Sequence, residues 1–190
     1  MNPMHDLLQG LANKHLTLGT VESMTGGLFA AEATSIPGAS HVFKGSIVTY
    51  SNQIKTDLVG VSPATIQAHG VVSDAVAKEM ARLGRQRLGV DVCISVTGNA
   101  GPTAEPGKAP VGEVHLALAT KKAVWAFGVN CKGDRESIRK QAVDLMVQFG
   151  LSMFRPVERV GQVPQGNAQK KLMSAQEINE LLKDVDSMIH

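Results

Sequence analysis

The sequence predicts an α/β layer fold with a mixed sheet. Three observations carry that expectation. Short apolar strands run directly into helix-start chemistry at three places. Two further strand-like runs, near the end of the apolar part of the chain, are joined by a two-residue turn. Stretches of helical periodicity separate the rest. At 190 residues and 43% apolar content the chain is long enough for one sizeable core and short for two.

Met4, Leu7, Leu8 and Leu11 recur at i, i+3, i+4 and i+7, which predicts an opening amphipathic helix with His15 and Leu16 at its exit. Leu16 to Glu22 reads as a strand. The small residues of SMTGG then lead into LFAAEA, an almost wholly apolar segment of buried-helix character. Ser46 to Tyr50 is a second strand, followed by a helix with Ser51 and Asn52 as N-cap types and Gly60 as its stop. Ser73 caps a helix carrying Val76, Met80 and Leu83 that closes at Gly89. Asp91 to Val96 is a short buried strand entering TGNAGPTAEPGKAPVG, a Gly/Pro-rich loop of a length that compact domains reserve for function or disorder.

Glu113 to Thr120 and Ala123 to Cys131 form the expected antiparallel pair about Lys121 and Lys122. The segment GDR then opens a helix bearing Ile138, Ala142, Leu145, Met146, Phe149 and Met153. The core domain is expected over 1–155. Residues 156–172 have linker composition, and 173–190 form an amphipathic tail helix. There a Ser174/Glu177 capping box precedes Ile178, Leu181, Leu182, Val185 and Ile189. Such a tethered helix docks on its own domain or on a sister subunit more readily than on a membrane.

Nineteen basic and 17 acidic residues, spread along the chain for a formal charge of +2, lack the dense basic run that nucleic-acid binding needs. Cys93 and Cys131 are too few for a disulfide framework and too far apart for a CxxC pair. The first residues lack the apolar core of a secretory signal, and no apolar run reaches membrane-spanning length. A cytoplasmic protein without membrane or nucleic-acid partners is expected. The six histidines show no ligand spacing, so no metal site is expected.

The three strand ends carry the chemistry: Glu22-Ser23-Met24-Thr25-Gly26-Gly27, Tyr50-Ser51-Asn52 with Lys55, and Ser95-Val96-Thr97-Gly98-Asn99-Ala100-Gly101-Pro102. Carboxyl ends of strands collect ligands in open α/β sheets because backbone N–H groups and helix dipoles point there. A serine hydroxyl attacks a carbonyl only when a base takes its proton, and a desolvated lysine can be that base. Ser23 with Lys55 is such a pair. Gly26 and Gly27 would let backbone amides approach an oxyanion. The same residue types also serve as ordinary caps and turns: Ser23 capping a helix, Thr97 closing a turn, Lys55 solvated on a helix. Arg135 and Arg139, in the first turns of the last core helix, suit either a substrate phosphate or solvent.

The ordered motifs VESMTGG, VTYSNQIKTDLVGV, HGVVSDAVAKEM, SVTGNAGP and PVGEVHLALAT resemble the CinA C-terminal domain family of bacterial, PncC-type nicotinamide-nucleotide amidases, over roughly residues 5–155. The resemblance implies a three-layer α/β/α sandwich that converts nicotinamide mononucleotide to nicotinic acid mononucleotide and ammonia, with no metal or organic cofactor. By motif position it implies Ser23 as nucleophile, Lys55 as its base and Thr97 as a residue that relays or orients the proton. Thr25, Gly26, Gly27, Tyr50, Asn52, Gly98 and Arg135 are expected to contact the substrate, a pyridine mononucleotide. A homo-oligomer, in the first instance a dimer, is expected as well. Members occur alone or fused behind a larger N-terminal domain, and with a helix beginning near Met4 no such domain is expected.

Two positions depart from the family pattern. Met24 stands where cysteine is common, which removes a thiol nucleophile. Asn99 stands where isoleucine is usual, which puts an amide toward a mostly apolar pocket. These departures motivate two other readings: a binding or regulatory protein that has lost turnover, and an amidase for a different carboxamide.

Overall fold

In the computed structural model, which describes residues 2–154, the elements follow in the order α1 (Pro3–Asn13), β1 (Leu18–Glu22), α2 (Leu28–Thr34), β2 (Phe43–Val48), α3 (Asn52–Ile54), α4 (Pro63–His69), α5 (Asp74–Leu88), β3 (Val92–Gly98), β4 (Glu113–Ala119), β5 (Val124–Asn130) and α6 (Arg135–Ser152). The five strands form one open sheet in the order β2-β1-β3-β4-β5. β1 pairs in parallel with β2 and β3, and β3, β4 and β5 are antiparallel. The mixed α/β sheet expected from the sequence is therefore present. The expected linker and tail helix lie outside the described residues.

Helices cover both faces of the sheet, because each strand buries residues on both sides. Leu18, Ile94, Val96, Leu116 and Leu118 join Met4, Leu7, Leu11, Phe29, Met146 and Phe149 in a core with α1, α2 and α6. On the opposite face Val21 and Cys93 meet Val76 and Met80 of α5, and Ala117 and Ala119 meet Ala77 and Ala81. Small residues bring α5 close to the strands. A Cβ on Gly84 would collide with the side chain of Val21, so substitution there would push helix and sheet apart.

Local chemistry fixes the boundaries. Asn2 caps α1 by accepting from the amides of Met4 and His5, and Pro3 occupies the first turn. β1 begins at Leu18 rather than Leu16, because the Thr17 amide and hydroxyl are engaged by Asp91 Oδ2. β2 spans Phe43–Val48 rather than 46–50, with a one-residue irregularity in its pairing between Leu18 and Gly19. Tyr50 therefore stands beyond the sheet. β3 extends to Gly98, so Thr97 and Gly98 are strand residues. Helix α4, whose Pro63 sits in the first turn after Ser62, has no counterpart in the sequence reading.

Candidate active site

The three parallel strands β2, β1 and β3 are neighbours and end in register: Glu22 is paired with Val48 on one side and with Val96 on the other. The next residue of each strand, Ser23, Thr49 and Thr97, therefore lies at one level along the sheet. Two backbone bonds lock that level. Ser23 N–H donates to Val96 O at 3.0 Å, and Thr49 N–H to Glu22 O at 2.8 Å.

Lys55 reaches this level from the helical turn after β2. The expected single helix over this segment is instead one turn of α3, capped by Ser51, followed by a π-helical turn from Lys55 to Val59 that ends at Gly60 in the left-handed region. Wider π turns recur where a side chain must be re-aimed, often at functional sites. Here the turn directs Lys55 inward, where only 1% of the residue is exposed. Its Nζ lies 2.8 Å from Ser23 Oγ and 2.7 Å from Thr49 O. Burial lowers the Lys55 pKa from 10.5 to about 8, because the ammonium loses its hydration. Among the described residues no carboxylate stands at ion-pair distance to restore the charge. Ser23, 7% exposed, thus faces an amine that loses its proton near pH 8 rather than 10.5. This is the arrangement a serine needs to become a nucleophile.

The turn carrying Ser23 is braced from two sides, and sequence reasoning missed both braces. The buried Glu22 carboxylate accepts from Thr25 Oγ1, from the amides of Gly27, Phe29 and Ala30, and from Ser46 Oγ. From α6, Arg139 donates to Met24 O and Thr25 O. An acidic residue closing a buried strand just before S-x-T-G-G was the available signal, since a carboxylate there meets the orphan amides of the next helix. The bracing also changes the expected oxyanion donors. Gly26 N–H donates to Ser23 O and Gly27 N–H to Glu22. Among the described residues the amides of Met24 and Thr25 donate to nothing, and these are the donors left beside the nucleophile.

Thr97 is buried next to the pair, but its hydroxyl donates to Val71 O at 2.9 Å. Among the described residues it makes no hydrogen bond to Ser23 or Lys55. Arg135, itself an expected site residue, donates to Tyr50 Oη, another, at 2.7 Å and to Gly101 O, although Tyr50 is 63% exposed. A cleft of about 670 Å³ opens beside the strand ends, with Asn52, Gly98, Val71, Lys108 and Glu113 in its wall. Asn52 and Gly98, expected to contact the substrate, line this cleft, while Ser23 and Lys55 lie outside its wall.

Asn99 does not act as a polar intrusion into an apolar pocket. Its amide donates to Thr103 O and Ala109 O and accepts from Gly101 N–H, which folds the 99–112 loop over one side of the cleft. Among the described residues no three His, Cys, Asp or Glu side chains converge on a point where a metal ion would sit. No helix among them is long and apolar enough to cross a membrane.

Comparison with known proteins agrees with this architecture. A family model described as the CinA C-terminal domain matches residues 2–154. A CinA-like protein of Chlorobaculum tepidum is 50% identical over 111 residues, covering 58% of this chain and 26% of that protein. A putative competence-damage inducible protein of Moorella thermoacetica is 45% identical over 132 residues, 70% of this chain and 32% of that protein. The matched region therefore spans about a third or less of these relatives. Among solved structures, a competence-damaged protein (CinA) superfamily protein from Escherichia coli superimposes with a TM-score of 0.74 at 31% identity, covering 77% of this chain and 85% of that one. A competence/damage inducible protein from Agrobacterium tumefaciens gives 0.71 at 32% identity, covering 78% and 93%.

Proposed function

This chain belongs to the CinA C-terminal domain family, and from that premise we propose that it is an amidohydrolase that converts nicotinamide mononucleotide to nicotinic acid mononucleotide and ammonia. The observation that carries the reading is the 2.8 Å approach of Lys55 Nζ to Ser23 Oγ in a buried setting.

The neutral Lys55 amine takes the hydroxyl proton as Ser23 Oγ bonds to the carboxamide carbon. The oxyanion forms against the amides of Met24 and Thr25. Lys55 then returns its proton to the amide nitrogen, the C–N bond breaks, and ammonia leaves. Water attacks the acyl-serine, Lys55 accepts its proton and passes it back to Ser23 Oγ, and the acid departs. The Lys55 amine is oriented by Thr49 O, while Thr97, whose hydroxyl donates to Val71 O, stands beside the pair as an acceptor for a proton in transit. Arg135 retains N–H groups beyond those bound to Tyr50 and Gly101 and receives the substrate phosphate at the rim. Every step uses protein groups and water, in a cytoplasmic setting.

The test is direct. The purified chain incubated with nicotinamide mononucleotide under a chelator should release ammonia and nicotinic acid mononucleotide in equal amounts. Persistent ligand binding without either product would favour the binding-protein reading. Turnover of other carboxamides with higher kcat/KM would favour an amidase of different preference.

A further inference from the structure

One ionisable cluster, built around a buried histidine, has no part in that chemistry. His115, in β4, is 2% exposed, yet both its ring nitrogens are engaged. Nδ1 lies 2.6 Å from Asp74 Oδ1 and Nε2 lies 2.9 Å from Glu113 Oε1. Ionised carboxylates only accept hydrogen bonds, so a ring that satisfies two of them must donate from both nitrogens, which only the imidazolium form does. Of the three groups, Glu113 lines the cleft. Asp74 is the first residue of α5. Glu113 is the first residue of β4, and its backbone carbonyl accepts from the amide of Asn99. His115 is paired with Thr97 on β3 and with Gly128 on β5.

Among the described residues, the charged groups acting on the ring are Asp74 from α5 and Glu113 from β4. Burial by itself would lower the pKa of His115, but the hydrogen bonds and charges of the two carboxylates outweigh it and raise the pKa above 6.5. Glu113 Oε2 has no partner among the described residues. His115 thus engages one carboxylate oxygen of Glu113 and leaves the other without a partner among the described residues, on a residue that lines the cleft.

The geometry points to a recognition element for a positively charged ligand ring: doubly hydrogen-bonded His115 is a positioning residue that fixes Glu113 in the cleft wall, where its carboxylate receives the cation. The ligand class rests on the proposed function, because the substrate there carries a quaternised pyridinium ring whereas its dihydro form has the same shape and no ring charge. Discrimination between these two forms is what a carboxylate in the wall provides and what a purely structural contact does not.

Two measurements test this. In the intact protein, nitrogen-15 spectra should show both ring nitrogens of His115 protonated, and staying so to a higher pH than in a free imidazole. A neutral tautomer, with the proton on a carboxylic acid instead, would overturn the positioning claim without reference to any activity. Next, binding of nicotinamide mononucleotide and of its dihydro form is measured by calorimetry in the Ser23→Ala protein, which prevents turnover. We expect roughly tenfold tighter binding of the cationic form, reduced to about twofold by Glu113→Gln and by His115→Gln. An undiminished preference in Glu113→Gln would overturn the recognition element and leave the amidase reading intact. Failure of the Ser23→Ala protein to bind either form would overturn the substrate reading, and the recognition element with it. A His115→Gln protein that does not fold leaves Glu113→Gln and the spectra to decide.

Discussion

Lys55 Nζ sits 2.8 Å from Ser23 Oγ although 32 positions separate the two residues. Ser23 is fixed by the end of β1 and Lys55 by the π turn after β2, so their proximity follows from the parallel pairing of these strands. Ser23→Ala and Lys55→Ala should each lower ammonia release by a factor of roughly 10³ or more, with circular dichroism and cooperative melting retained. Near-normal turnover in either would remove the catalytic role.

The lowered Lys55 pKa sets the pH dependence of turnover. Attack requires the neutral amine, so kcat/KM should rise about tenfold per pH unit below 8 and level off above it. A flat profile between pH 6 and 8 would show that Lys55 is not the base.

The same shift makes a stability claim. Because the folded pKa of about 8 lies below the ordinary 10.5, the unfolded chain binds more protons between those values, and folding stability rises with pH across that window. Below pH 8 both states are protonated and the full burden of the buried ammonium remains. Relative to Lys55→Met, in which nothing titrates at this position, wild type should gain roughly 3 kcal/mol between pH 7 and 10.5. Urea unfolding at a series of pH values would measure the difference, and parallel curves would refute it.

Glu22 should prove as important as the pair it adjoins. Glu22→Gln leaves one acceptor oxygen where the carboxylate receives three backbone amides and two hydroxyls. A loss of about 3 kcal/mol is expected, seen as a fall in melting temperature of around 10 °C. The Ser23 turn loosens as well, so kcat should fall more than KM rises. An unchanged kcat in folded protein would restrict Glu22 to stability.

Asn99→Ile tests the loop clamp. Loss of the bonds to Thr103 O, Ala109 O and Gly101 N–H should speed hydrogen exchange of the Gly101 amide by about tenfold. It should also raise KM with little change in kcat, since Ser23 and Lys55 lie elsewhere. Unchanged exchange would mean that the loop holds without the side chain.

Local chemistry made much of this protein legible from its sequence. The apolar spacing of Met4, Leu7, Leu8 and Leu11, the Ser73 and Ser51 caps and the antiparallel pair about Lys121 and Lys122 are all encoded within a few neighbouring residues. Such residues act on their own backbone whatever the rest of the chain does. The three polar strand ends were legible for the same reason, and the family motifs tied Ser23 to Lys55. Only the tertiary structure decided that β2, β1 and β3 lie side by side with Glu22, Val48 and Val96 in register, which sets the Ser23 turn and the Lys55 turn at one edge. It also decided where the long polar side chains end. Glu22 turns to the amides at the start of α2, Arg139 braces Met24 and Thr25 from 115 and 114 positions away, and His115 joins Asp74 to Glu113. A charged side chain chooses its partner by what folding brings within a few ångströms of it, and no spacing along the chain records that distance.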